Sequence, residues 1–217
     1  MKKIVLLICL MFGIGFSSAA FAATIVSTFD FNSEEWTTDA GGDITHNPYG
    51  GNTGGFLSIE DIAGDTYVAF PPSKFKGDLL EFNGGLLSYD VLVIDPVATL
   101  SSIGSGFGRI QMHGGGLNAT FDYAPNPSIP SSQEWMKYYV PMTAEAWNTT
   151  QENWEKLLSD VTYMDIILEP KNWSTVGLDN FKIKSASNPV PEPATMLLFG
   201  PALLGLSGIK RKRKRRK

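Results

Sequence analysis

Leu117-Asn118-Ala119-Thr120-Phe121-Asp122-Tyr123 places an apolar side chain at every second position. Successive side chains of a strand point to opposite faces, so this run predicts a strand with one dry and one wet face. Just upstream, Ile110 and Met112 alternate with Arg109, Gln111 and His113, and Gly114-Gly115-Gly116 separates the two runs. Leu87, Tyr89, Val91 and Val93 repeat the pattern with a less polar second face. Further short runs lie at 25–31, 56–60, 66–70, 136–142, 163–168 and 177–184. Between them stand turn-forming clusters such as Gly41-Gly42, Gly50-Gly51-Asn52, Gly54-Gly55 and Asn83-Gly84-Gly85. Nine short strands divided by such turns predict an all-β fold, an antiparallel jelly-roll sandwich. One segment differs. Thr149-Thr150-Gln151-Glu152 reads as a capping box with Thr149 at the N-cap, and Trp154, Leu157, Leu158 and Val161 follow at helical spacing. This predicts one short helix over about 150–159, its apolar stripe packed on an end of the sandwich.

The two ends of the sequence have a different character. Met1-Lys2-Lys3 is followed by an apolar run from Ile4 to Phe16 and by Ala20-Phe21-Ala22. That is the layout of a secretory signal, with cleavage expected between Ala22 and Ala23 by signal peptidase and passage through the secretion machinery. An uncleaved anchor is the competing reading. Cys9 sits inside the apolar run after Ile8, which does not suit a lipid-attachment site. At the other end, Val190-Pro191-Glu192-Pro193 precedes an uncharged run from Ala194 to Ile209 and then an unbroken basic cluster from Lys210 to Lys217. A helix over 194–209 would be about 24 Å long, somewhat short of a ~30 Å hydrocarbon core. Bilayer thinning and snorkelling by the flanking Lys and Arg would close the gap. The basic cluster would stay cytoplasmic, leaving the rest of the chain outside the inner membrane. The predicted organisation is therefore a signal at 1–22, a sandwich at 23–184, a polar linker at 185–189 and a tail at 190–217.

Between signal and tail, residues 23–190 hold eight Lys+Arg against twenty-one Asp+Glu, a net charge of −13. So acidic a surface excludes nucleic acid as a partner, because phosphate binding needs basic side chains. The only cysteine is Cys9, so the expected mature chain has neither disulfides nor thiol chemistry. It is long enough to bury a core without them. The two histidines, His46 in a Gly/Asn/Pro turn region and His113 beside three glycines, fit no zinc spacing and no nucleophile motif. Gly104-Ser105-Gly106-Phe107-Gly108 lacks the Lys-Ser/Thr and the helix of a phosphate loop. Glycoside hydrolysis needs two carboxylates across a cleft, and no spacing singles out a pair. The reading is of a protein that is not an enzyme and requires no cofactor.

The ordered tail, Val190-Pro191-Glu192-Pro193 then an apolar run then Lys/Arg, resembles the PEP-CTERM sorting tail of Gram-negative bacteria that make extracellular polysaccharide. The resemblance implies recognition of Pro191, Glu192 and Pro193 by an exosortase. It also implies transient anchoring in the inner membrane with the domain in the periplasm, then transfer to the cell surface or the exopolysaccharide matrix. A plain, uncut anchor is the alternative.

Several phrases of the middle region, in order, resemble the laminin B (laminin IV type A) domain. They are Tyr67-Val68-Ala69-Phe70-Pro71-Pro72, Phe75-Lys76-Gly77-Asp78, Asn83-Gly84-Gly85-Leu86-Leu87-Ser88-Tyr89, Trp135 to Met142 with Trp147, Leu158-Ser159-Asp160-Val161 and Gly177-Leu178-Asp179-Asn180-Phe181. The sequence departs from the animal domains in Phe82 and Asn83 at the first turn and in having no cysteine there. That family is similar to galactose-binding-like jelly rolls, among them carbohydrate-binding modules that often hold a structural calcium where first and last strands meet. The matching positions are Asp30 and Asp179, each of which also suits a plain turn or strand-end role. The resemblance further implies that Trp36, Trp135 and Trp147 are core or end-cap residues. Trp173, in the polar stretch Glu169 to Ser174, is the candidate for an exposed sugar platform; a half-buried loop anchor is the alternative. Two functions follow: a structural or adhesive exported module, or a lectin-like module gripping exopolysaccharide. A glycoside hydrolase is the remote third.

Overall fold

The alternating runs assemble into two antiparallel sheets packed face to face, with one helix against them. The computed structural model describes residues 22–64, 68–95, 106–122, 134–170 and 172–186. Residues Ala22–Ala186 form one compact unit. Strands run β1 (Thr24–Ser27), β2 (Thr37–Thr38), β3 (Gly42–Asn47), β4 (Phe56–Asp61), β5 (Ala69–Phe70), β6 (Leu86–Asp95), β7 (Ile110–Gly114), β8 (Leu117–Phe121), β9 (Met136–Pro141), β10 (Val161–Ile166) and β11 (Thr175–Lys184), with helix α1 (Gln151–Leu158) between β9 and β10. The larger sheet has the order β3-β4-β11-β6-β9, with β1 also paired to β11. The smaller has the order β2-β5-β10-β7-β8.

β11 organises the larger sheet. Its first half, Thr175 to Leu178, pairs with β4, and its second half, Phe181 to Lys184, pairs with β1. The change of partner coincides with a break in register against β6 between Asp179 and Lys182, where Asn180 takes a positive φ of 51°. A bulge of this kind bends a strand and re-aims its side chains. Ser185 N–H donates to the Ala23 carbonyl at 2.9 Å, so both ends of the compact unit leave it side by side.

The core lies between the sheets and follows the period-two pattern. Leu87, Tyr89, Val91 and Val93 of β6 and Val176, Leu178, Phe181 and Ile183 of β11 are buried, and Ile110, Met112, Met164 and Ile166 meet them from the smaller sheet. Aromatic rings dominate its centre: Phe181 lies 4.9 Å from Trp36 and 5.0 Å from Phe75, and Tyr89 stacks on Tyr138 at 5.3 Å. Edge-on and offset contacts at these separations add about 0.5–1.5 kcal/mol each beyond area burial. The predicted helix is present, with Trp154, Leu157 and Leu158 buried and Trp154 stacked on Trp147 at 5.2 Å.

The structure differs from the sequence reading at the helix cap, at the end of β1 and at β3. The helix cap is Thr150, whose hydroxyl accepts from Asn153 N–H at 3.2 Å. Asn148 has a positive φ of 50°, and the chain becomes helical only after Thr150, so Thr149 is left one residue outside the helix. β1 stops at Ser27 instead of reaching residue 31, because Phe29 adopts φ 55° and the Glu34 carboxylate takes the N–H groups of Thr28 and Phe29. His46 lies in a strand, β3, and not in a turn. Its ring Nε2 is 2.8 Å from the Phe29 carbonyl. β3 escaped the pattern because Asp43, Thr45 and Asn47 leave Ile44 as its sole aliphatic side chain. Of the predicted strand at 66–70, Ala69–Phe70 forms β5, while Thr66 and Tyr67 lie outside the described residues, as do Tyr123, the loop 124–132, the signal up to Phe21 and the tail.

Candidate functional site

The β3–β4 loop, Gly50 to Gly55, touches both predicted calcium ligands, at two different glycines. Asp30, just past β1, is exposed; its Oδ2 accepts from the Thr28 hydroxyl at 2.7 Å. Its other carboxylate oxygen lies so close to Gly54 that a Cβ there would fall 2.0 Å away. Asp179, fully buried at the β11 bulge, accepts Thr53 N–H at 3.0 Å and Asn180 N–H at 2.6 Å and sits against Gly51. The loop thus carries Asp30 on one flank and Asp179 on the other, and only residues without side chains fit at the two contacts. Backbone carbonyls of Phe29 and Asn47 converge at Gly55, and that of Gly55 at Gly51. The carboxylates and carbonyls around the loop are oxygen donors of the kind calcium takes, although the His46 ring nitrogen already engages the Phe29 carbonyl. Two of them are carboxylates; among the described residues no three acidic or histidine side chains gather in a metal-binding group. Backbone carbonyls would have to complete any calcium shell.

Beneath this loop lies a residue the sequence reading passed over. Asp90 of β6 is opposite Asp179 in register and fully buried. It accepts from the amides of Asn52 at 2.8 Å and Asn180 at 2.9 Å and pairs with the Lys137 ammonium at 2.5 Å. Both amides reach Oδ2, whereas Oδ1 makes no hydrogen bond and has the Lys137 ammonium as its counter-charge. Asp179 has only N–H donors. Burial pushes its carboxyl up to about 6, against the pull of the Thr53 and Asn180 N–H groups, and the neighbouring Asp90 charge adds to the rise. In the sequence, Asp90 stands at an out-facing position of an alternating strand, where an acid is unremarkable. What buries it is the loop folded over the central strands, which no local pattern announces.

Trp173 is 63% exposed, as the sugar-platform reading requires. Its backbone has a positive φ of 62°, which is rare for a bulky residue. The carboxylate of buried Asp61 holds it there, accepting the N–H groups of Trp173, Ala63 and Gly64. Burial alone would raise the Asp61 carboxyl, but these donors outweigh it and hold it below its ordinary value. The indole rests on Gly64, where a Cβ would come within 2.7 Å of the ring, and the Asn172 amide bonds the Gly64 carbonyl. The ring thus rests on two loops joined by these contacts. Of the other tryptophans, Trp36 and Trp147 are buried as expected. Trp135 is only half-buried; it lies edge-on to Phe56 at 5.5 Å over Gly177 on the outer face of the larger sheet. Phe31 and Tyr49, not singled out in the sequence, are the other strongly exposed loop aromatics among the described residues. Pro191, Glu192 and Pro193 and the predicted span 194–209 lie outside the described residues. Ala22 and Ala23 open the described chain.

The family model for Laminin B (Domain IV) matches residues 70–196, more than half of the sequence. The chain belongs to the laminin B family. A second model, the PEP-CTERM protein-sorting motif, matches residues 189–214. No curated protein matches this laminin B chain. Among solved structures it is similar to the L4b domain of human laminin alpha-2, at 17% identity and a TM-score of 0.48 over 59% of this chain and 80% of that one. It is also similar to the family 11 carbohydrate-binding module of Clostridium thermocellum solved with a β-1,3-1,4-mixed-linked tetrasaccharide, at 13% identity and a TM-score of 0.47 over 78% and 98%. A third similar structure is the K1 cleaved adhesin domain of Lys-gingipain from Porphyromonas gingivalis, at 16% identity and a TM-score of 0.41 over 76% and 99%.

Proposed function

We propose that this protein is exported and sorted by an exosortase, and that its laminin B sandwich serves as a non-catalytic structural or adhesive module at the cell surface or in the exopolysaccharide matrix. The observation that carries the reading is the PEP-CTERM sorting motif at 189–214 in the same chain as a laminin B domain. In this reading the signal occupies 1–22, a galactose-binding-like jelly roll 23–184, the linker 185–189 and the sorting tail 190–217. The tail's apolar run at 194–209 holds the chain in the inner membrane until the motif is cut. The chemistry of the described residues supports a non-catalytic role. The Asp90–Asp179 pair is closed over by a loop and engaged by amides, N–H groups and Lys137, unlike carboxylates facing a substrate cleft. The test replaces Pro191, Glu192 and Pro193 with alanine in the producing cell. Retention of the variant in the membrane, with the wild type released, supports the proposal; identical distribution of the two defeats it.

A second reading, that the module grips polysaccharide through Trp173, is favoured by the exposed indole and its seat against Gly64 and Asp61. A solvent-facing aromatic ring offers an apolar face to the C–H face of a sugar. Affinity electrophoresis in the host's exopolysaccharide decides it: retardation that disappears in Trp173→Ala supports the platform, and migration unaffected by the polysaccharide removes it.

A further inference from the structure

We infer that the cleft between α1 and the β7–β8 hairpin binds a neutral, hydroxyl-rich ligand of oligosaccharide size. This goes beyond the reading above, because the cleft is formed by different elements from those that mount Trp173. It has a volume of about 610 Å³, within the ~300–1,000 Å³ typical of small-molecule sites. Its polar lining is His113, Asn118, Thr149, Asn153 and Thr162, and its apolar lining is Leu117 and Leu157. None of these is a carboxylate, an ammonium or a guanidinium, and the His113 imidazole is the one titratable group in the lining, so a charged ligand finds no fixed countercharge. The acidity of the surrounding domain further disfavours polyanions. Amides and hydroxyls both donate and accept, which matches the mixed donor–acceptor edge of a sugar ring. The half-buried Leu117 offers a surface for its C–H face.

The walls are preformed. Gly114 and Gly115 bring the hairpin directly onto the helix: a Cβ at Gly114 would sit 2.3 Å from the Leu157 carbonyl, and one at Gly115 2.5 Å from that of Lys156. Gly116, at φ 76°, has open space where its side chain would be and leaves the mouth clear. The His113 ring is held against Tyr163 at 4.7 Å, and the Tyr163 hydroxyl is tied to Asp165 at 2.6 Å. The cap at Thr150 places Thr149 on the rim and not in the helix. The side-chain amides of Asn118 and Asn153 make no hydrogen bond among the described residues, so both are available to a ligand. A rigid site with unspent donors and acceptors loses little freedom on binding.

The test is a titration of the isotope-labelled full chain, in a detergent without a sugar headgroup, with cellotetraose, xylotetraose, mannotetraose and laminaritetraose, and with tetragalacturonate as the charged comparison. The expected result is saturable movement of the Asn118 and Asn153 side-chain amide signals by at least one neutral tetrasaccharide. The affinity should fall at least about tenfold in the Asn118→Ala/Asn153→Ala double variant. The Trp173 indole N–H signal reads the separate platform, so failure at one site is distinguishable from failure at the other. The inference is overturned if neither amide signal moves up to about 10 mM of any neutral sugar. It is overturned too if only tetragalacturonate moves them, or if the double variant binds like the wild type.

Discussion

Asp179 titrates in a place that ties the fold to pH. Its carboxyl is raised from 3.8 to about 6 by burial under the Gly50–Gly55 loop and by Asp90 beside it. A carboxyl whose folded pKa exceeds its unfolded value stabilises the fold when protonated. That contribution is complete below about pH 4 and is lost as pH rises through 6, because between the two values only the folded state holds the proton. At ~1.36 kcal/mol per pH unit the whole window is worth about 3 kcal/mol, and solvent at the rim of the loop reduces this to about 1–2 kcal/mol. Asp61 and Glu34, which are held below their ordinary values, act in the opposite sense: they lose stability as pH falls. The wild-type curve alone therefore mixes signs. The informative quantity is the difference between wild type and Asp179→Asn. Asparagine keeps one acceptor and turns the other into a donor facing an N–H, a cost that does not vary with pH. Chemical denaturation in chelator, followed by tryptophan fluorescence, should show the variant gaining about 1–2 kcal/mol relative to wild type between pH 4 and pH 7. Parallel stability curves across that range would refute the reasoning.

Further predictions concern the same elements. If calcium sits between Asp30 and Asp179, the melting temperature rises by about 5–10 °C at a hundredfold excess over Kd. The rise is absent in Asp179→Ala, and equal melting in calcium and chelator excludes the ion. Lys137→Ala leaves the buried Asp90 charge without its cation and should cost about 1–3 kcal/mol, since Lys137 itself is partly exposed. Asp90→Asn added to that variant should recover part of the loss in the same denaturation assay. Thr150→Ala removes the helix cap and should cost about 1 kcal/mol, whereas Thr149→Ala should leave stability within about 0.5 kcal/mol. The reverse order would restore the cap to Thr149.

Much of the sandwich was legible because its strands alternate. The strands around Leu87–Val93 and 177–184 carry an apolar residue at nearly every inward position, and these became the central pair β6 and β11. β3 was invisible because an edge strand with one inward aliphatic leaves no periodic signal. The helix was placed by its Trp154–Leu157–Leu158 stripe, but its cap was displaced by one residue, since Thr149 and Thr150 both suit an N-cap and only the backbone angle chooses between them. Of the site, Asp30, Asp179 and Trp173 could be named from the sequence, the first two through the family resemblance. Asp90, Asn52 and Lys137 could not. Asn52 reaches Asp90 only because a loop closes over the outer face of the larger sheet, and Lys137 meets it across the β6–β9 pairing; both contacts join residues far apart in the chain. The cleft beside α1 has the same origin: Gly114-Gly115-Gly116 looks like an ordinary turn until the helix is seen resting on it.

The most direct measurement for the account as a whole is the intact mass, with terminal sequencing, of the protein recovered from the surface and matrix of the producing cell. The account predicts a chain that begins at Ala23 and has lost the apolar run and basic cluster beyond Pro191-Glu192-Pro193. A full-length polypeptide found in the cytosol, carrying both 1–22 and 190–217, would contradict it.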